Sequence, residues 1–306
     1  MLRSRRPHKG ERMAYHDAII TTKDGRALEV ASVGDPQGAT VVFHHGTPGS
    51  APLVKVFDEV ATRNGFFVVT MSRAGYGRSD RLAGRAPTHV VSDTNDALDH
   101  FGRGDYLVAG WSGGGPHALA CAALDAPRCR AAWSLAGVAP SNVDFDWTEG
   151  MGPENVEEFA LAQQGGAEYE AHIQSISETM RGATEANVIE LFGGLLPPVD
   201  KDALADDAAR EILAEACREA GRSGHYGFLD DDQTFVHDWG FALSDITVPT
   251  ALWFGDEDLM VPPTHAKYLL DHIPGATAFH QPAEGHVSIV SRFQDELFAA
   301  FRRALA

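Results

Sequence analysis

One serine stands where a nucleophile could be made. Gly110-Trp111-Ser112-Gly113-Gly114 is a G-x-S-x-G that follows an apolar run at 106–110, predicted as a strand, and opens a small-residue helix at 116–124. A serine at such a strand-to-helix turn projects its hydroxyl above the sheet, and flanking glycines let backbone pass where a side chain would clash. A hydroxyl is a weak nucleophile until a base takes its proton, so a histidine and an acid to orient it are also required. With fourteen histidines in the chain, position must decide. His286, in Glu284-Gly285-His286, follows the last predicted strand by a short loop. Asp258, in Gly255-Asp256-Glu257-Asp258, lies just past the strand before it, with Asp256 as the alternative acid.

Acyl chemistry further needs two backbone N–H donors for the oxyanion of a tetrahedral intermediate. His44-His45-Gly46-Thr47-Pro48-Gly49 follows an earlier predicted strand; Pro48 has no N–H, which points to Thr47, and the second donor is Gly113, next to the serine. The same stretch satisfies G-x-G-x-x-A through Gly113, Gly115 and Ala118, but residues 131–142 hold no Asp or Glu to bind a dinucleotide ribose. No cofactor is expected. His44, His45, His117 and His280 are read as packed or backbone-bonded, since no H-E-x-x-H suggests a metal. Phe228, Phe235, Trp239 and Phe241 are read as packing, with one or two available to wall an apolar pocket.

The elements that must position these residues alternate in type. Residues 40–44, 66–71, 106–110 and 131–135 are apolar runs bounded by turn residues, which predicts buried parallel strands separated by crossover helices. An antiparallel pair over 16–33, turned at Asp24-Gly25, precedes them. From about Pro140 strand patterns vanish, and helices are predicted at 153–164, 167–181, 184–191 and 201–220. Strand character returns at 250–254 and 277–281, each followed by a helix, 263–273 and 287–305. The expected fold is α/β, a mostly parallel sheet flanked by helices, with 14–140 and 246–306 as the core, 141–245 as an inserted helical cap and 1–13 as a disordered tail.

The net charge of -18 is concentrated in one place. Residues 141–245 hold 23 of the 43 acidic residues and 5 of the 25 basic ones, so the rest of the chain is balanced. Such a field repels nucleic acid and anionic membranes, which excludes both as expected partners, while it could draw in cationic substrates. The simpler expectation is that these carboxylates solubilise exposed helices. No run approaches the ~18 apolar residues of a membrane span, residues 1–13 are basic without an apolar stretch, and Cys121, Cys129 and Cys217 lack any C-x-x-C. The expectation is a cytoplasmic protein with three reduced thiols; its oligomeric state is not readable.

The order Ser112, Asp258, His286, with a His45-Gly46-Thr47-Pro48 loop, a Gly255-Asp256-Glu257-Asp258 acid turn and Gly285-His286 near the end, resembles the cap-bearing members of the α/β-hydrolase superfamily. Ser72-Arg73-Ala74-Gly75-Tyr76-Gly77-Arg78-Ser79 is similar to that family's D-x-x-G-x-G-x-S loop, with Ser72 in place of the acid. The resemblance covers 14–306, although 141–245 matches in position and helical character only. It implies a serine hydrolase of carboxylic esters or related small-molecule acyl compounds, acting through an acyl-enzyme on Ser112. Relatives acting on epoxides or haloalkanes carry an aspartate at that position. A prolyl-type aminopeptidase, a carbon-carbon hydrolase with the same triad, or a non-catalytic ligand-binding protein are the alternatives.

Overall fold

The computed structural model describes residues 15–306, so the tail expected over 1–13 lies outside the described residues. Eight strands form one sheet: β1 (His16–Thr21), β2 (Ala27–Gly34), β3 (Ala39–His44), β4 (Phe66–Met71), β5 (Tyr106–Trp111), β6 (Cys129–Leu135), β7 (Thr250–Gly255) and β8 (Thr277–Gln281). They lie in the order β1-β2-β4-β3-β5-β6-β7-β8. The β1/β2 and β2/β4 pairs are antiparallel and the rest parallel, the mostly parallel sheet expected. Every apolar run assigned to a strand is one, to within two residues at either end.

Helices α1 (Asp58–Asn64), α2 (Val90–His100) and α3 (Gly115–Leu124) join the first parallel strands. The sheet's two faces are filled by alternating residues, as the two-residue period of a strand requires. Phe66 packs edge-on against Phe298 and Phe301 on one side, while its neighbour Phe67 packs against Phe101, just past α2, on the other. Between β6 and β7 the chain forms α4 (Pro153–Gln164), α5 (Gly166–Met180), α6 (Val188–Leu191), α7 (Pro198–Ala203), α8 (Asp207–Ala220) and α9 (Tyr226–Val236). After β7 come α10 (Pro263–His272), α11 (Ser288–Ser291) and α12 (Gln294–Ala304). No helix among the described residues is long and apolar enough to cross a membrane.

The helical expectations needed correction in four places. The stretch 184–191 is helical only at α6, because Asn187 Oδ1 accepts the Thr184 N–H at 2.7 Å and closes a turn ahead of it. The helix expected over 201–220 is two, since the Asp206 side chain accepts from the Ala208 and Ala209 N–H groups and starts α8 afresh. The helix expected over 287–305 breaks between α11 and α12, where Phe293 turns to pack against Phe279. Helix α9 was not anticipated at all, because Asp230-Asp231-Asp232 reads locally as a solvated run.

The Phe298 ring lies 5.1 Å from Phe301, 5.5 Å from Phe66 and 6.0 Å from Phe57, joining α12 to the sheet and to the turn before α1. Phe298→Ala should therefore cost about 3–5 kcal/mol, the usual range for emptying a buried aromatic site. Urea unfolding should show this as a lower midpoint at unchanged slope.

Candidate active site

The turn after β5 is built by close approach. A Cβ on Gly110 would lie 2.0 Å from the Gly114 carbonyl oxygen, and one on Gly114 would lie 2.2 Å from that of His44. Only glycine lets the chain fold back so tightly, and the turn forces Ser112 to φ 55, the left-handed region that a serine enters at a cost of about 1–3 kcal/mol. Strain of this kind holds the side chain clear of both strand and helix. The hydroxyl then stands at the edge where β3, β5, β7 and β8, running parallel, all end.

Two of the other expected residues arrive at that edge already joined. His286 Nδ1 lies 2.8 Å from Asp258 Oδ2, with both side chains buried. The second Asp258 oxygen accepts the N–H groups of Met260 and Val261, each at 2.8 Å, so the carboxylate cannot rotate without losing partners. Asp256, the alternative acid, instead meets His280 at 2.9 Å in a half-exposed pair. Burial opposes the charged form of His286, but the Asp258 carboxylate, and after it Asp200, outweigh this and raise its pKa above the ordinary imidazole value. With Nδ1 turned to the acid, Nε2 is the nitrogen left for a reacting proton. Ser112 and His286 line one small cavity of about 30 Å³ together with Gly46, Thr47 and Trp111.

Two residues that sequence reasoning passed over fix the histidine's backbone. Asp200, buried on α7, accepts the N–H groups of His286 at 2.9 Å, Val287 at 3.0 Å and Ser288 at 2.8 Å. Burial raises its pKa, with the Ser288 N–H opposing the shift. Trp111, the x of the G-x-S, donates its indole N–H to the His286 carbonyl at 3.0 Å. One signal could have found Asp200: it is an acid in the first turn of a helix whose start is marked by Pro197-Pro198.

The loop at 45–49 is held by a buried ion network. Arg73 donates to the carbonyls of His45 and Gly46 and to Thr47 Oγ1, and pairs with Asp231 of α9 at 2.5 Å. Asp231 also pairs with Arg85 at 2.5 Å and accepts from Thr47 Oγ1 at 2.6 Å and Tyr76 at 3.0 Å. Burial alone would neutralise Asp231, but the two guanidiniums outweigh it and hold its pKa well below the carboxylate range. His45 keeps to the structural role expected of it, its Nδ1 donating to Gly46 and its Nε2 accepting from Arg73. His117 donates from Nδ1 to the Gly113 carbonyl at 2.8 Å, and burial with Arg73 nearby depresses its pKa, which keeps it neutral. Gly113 packs directly on Thr47, since a Cβ there would lie 2.3 Å from Thr47 Oγ1.

Beyond Ser112 opens a larger cavity of about 270 Å³, walled by Thr47, Gly113 and side chains of α4, α5 and α9. Phe228 and Phe235 line it, whereas Trp239 lies buried in the core with its ring tilted against that of Phe241. The three cysteines are free and buried, and burial raises their thiol pKa values.

A model of the alpha/beta hydrolase fold family matches residues 39–293. Over 277 residues, 88% of this chain and 94% of the other, the sequence is 27% identical to a pimeloyl-[acyl-carrier protein] methyl ester esterase of Chromobacterium violaceum. It is 31% identical over 148 residues to a non-heme chloroperoxidase of Streptomyces lividans, where the match spans 47% of this chain and about half, 53%, of the relative. Among solved structures, a hydrolase from Pseudomonas aeruginosa PA01 superposes with a TM-score of 0.68 at 18% identity, covering 95% of this chain and 98% of that one, which is a likeness of fold.

Among the described residues Asp231 is the carboxylate that pairs with both buried arginines, Arg73 and Arg85, so removing it takes the ion-pair partner from each. Asp231→Ala should destabilise the protein by about 3–5 kcal/mol, far more than Asp256→Ala at the half-exposed pair, which should cost less than about 1 kcal/mol. Chemical denaturation of the two variants side by side tests the difference.

Proposed function

Because the chain belongs to the α/β-hydrolase fold family, we propose that it is a serine hydrolase that cleaves a carboxylic ester or related acyl substrate through an acyl-enzyme. The observation that carries this reading is the buried His286–Asp258 bond beside a serine held at positive φ. A strained serine without an oriented base would be a turn, and an oriented histidine without a nucleophile would be core packing. The methyl ester esterase among the relatives supports the ester class.

In this mechanism Ser112 Oγ attacks the acyl carbon as its proton passes to His286 Nε2. The carbonyl oxygen becomes an oxyanion, received by the Thr47 and Gly113 N–H groups, while Asp258 stabilises the imidazolium. Collapse expels the alcohol, which takes the proton from His286, and leaves the acyl group on Ser112. Water then enters, gives a proton to Nε2 and attacks the acyl carbon; the second collapse returns that proton to Ser112 and frees the acid. Arg73 and Asp231 have a positioning role: the Thr47 N–H must already point at the oxyanion for its donation to lower the barrier.

Two measurements test this. A fluorophosphonate should label wild-type protein on Ser112, and Ser112→Ala should lose labelling and on the order of 10⁶-fold in kcat; normal ester turnover by that variant would end the proposal. The pH dependence gives an independent check. Nε2 must be unprotonated to act as base, so the raised pKa of His286 places the acidic limb of kcat/KM above the usual imidazole value. Asp258→Asn removes the carboxylate charge that raises it, so the limb should move to lower pH while kcat falls roughly 10⁴-fold.

A further inference from the structure

The larger cavity carries a chemical bias that ester cleavage does not require. Glu154, Glu157, Glu158 and Asp232 all line it, and no lysine or arginine does. Of these, Glu154 is already engaged, accepting the Gly194 N–H at 2.8 Å. Asp232 differs in kind. It is fully buried in α9, one oxygen accepts from Tyr169 at 3.1 Å, and the other, Oδ1, has no hydrogen-bond partner. Its neighbour Asp231 takes both Arg73 and Arg85, so the adjacent carboxyl is left without an ion pair. A buried carboxylate oxygen without a partner is costly and seldom kept in a fold without cause.

We propose that Glu158 and Asp232 form a subsite for a protonated amine, so that the substrates preferred at Ser112 carry an ammonium group on an aliphatic stem. Two carboxyls on one cavity wall offer acceptors for the three donors of a compact ammonium, and Phe159, Phe228 and Phe235 supply apolar cover for the stem. Burial raises the pKa of both acids, and the nearby Glu158 adds to the shift of Asp232, so the approach of a cation would favour their ionised forms. Among the described residues no group of three or more ligating side chains is arranged for a metal ion, which favours an organic cation.

The turnover part of the test rests on the hydrolase reading; the binding part does not. Methyl 6-aminohexanoate and methyl heptanoate differ only in an ammonium for a methyl. Calorimetric titration of the full-length Ser112→Ala protein should show about tenfold or tighter binding of the amino ester at low salt, and the wild-type enzyme should show the same preference in KM. Glu158→Gln and Asp232→Asn should each collapse that ratio towards one; because both esters are compared on the same folded sample, a partly destabilised variant does not blur the result. Equal binding of the two esters, or a preference that survives both substitutions, would overturn the subsite. Preferential binding of the amino ester with no turnover of either ester would sink the hydrolase reading and leave the subsite intact.

Discussion

The pairing of Asp231 with Arg73 and Arg85 is the constraint on which the geometry of the site depends. It joins three parts of the chain that are distant in sequence: the loop after β3, the loop after β4 and helix α9. Arg73 reaches the carbonyls of His45 and Gly46, and Asp231 reaches the Thr47 hydroxyl, so the loop facing Ser112 is fixed from both ends of one ion pair. A buried pair of this kind adds little net stability over an apolar equivalent. What it supplies is exclusivity, because any other register of α9 against the core would strand two guanidiniums and a carboxylate in a dry interior.

The carboxylates of 141–245 turn out to do different kinds of work, which the simple expectation of solubilising charge does not cover. Asp200 gathers three N–H groups of the histidine loop, Asp231 neutralises two arginines and Asp232 faces the cavity unpaired. Others, such as Glu178 and Glu211, lie at the surface beside Arg181 and Arg218 and contribute little to stability. The helices between β6 and β7 thus touch both the backbone of His286, the proposed base, and the loop proposed to bind the oxyanion. Deforming them would be felt at His286 through Asp200 and at Thr47 through Asp231.

Much of this was legible in the sequence, and the boundary between what was and was not is physical. Strands buried on both faces must be apolar throughout, so runs such as Phe66–Met71 announce themselves without reference to anything distant. The glycines around Ser112 are likewise demanded locally, by backbone passing within a side chain's reach. Asp231 and Arg73 could not be read this way, since a charge is buried only when its counter-charge arrives, and that partner is 158 residues away. A triple aspartate looks solvated until two arginines are known to face it. The broken helices have the same cause on a smaller scale: Asp206 and Asn187 are tolerable in a helix and better as caps, and only the packing around them decides.

The choice between Asp256 and Asp258 shows how tertiary context resolves what spacing leaves open. Both follow β7 within three residues, and both meet a histidine. Asp256 meets His280, on the edge strand β8, where water competes for each partner. Asp258 meets His286 out of water, and its other oxygen is saturated by two N–H groups. The same two functional groups therefore make a loose surface pair in one place and an oriented pair in the other. Orientation comes from the backbone around the acid, the 258–261 turn, and from the clamp that Asp200 and Trp111 place on the histidine's own peptide groups. The chemistry proposed for this edge rests as much on those backbone contacts as on the identity of the side chains.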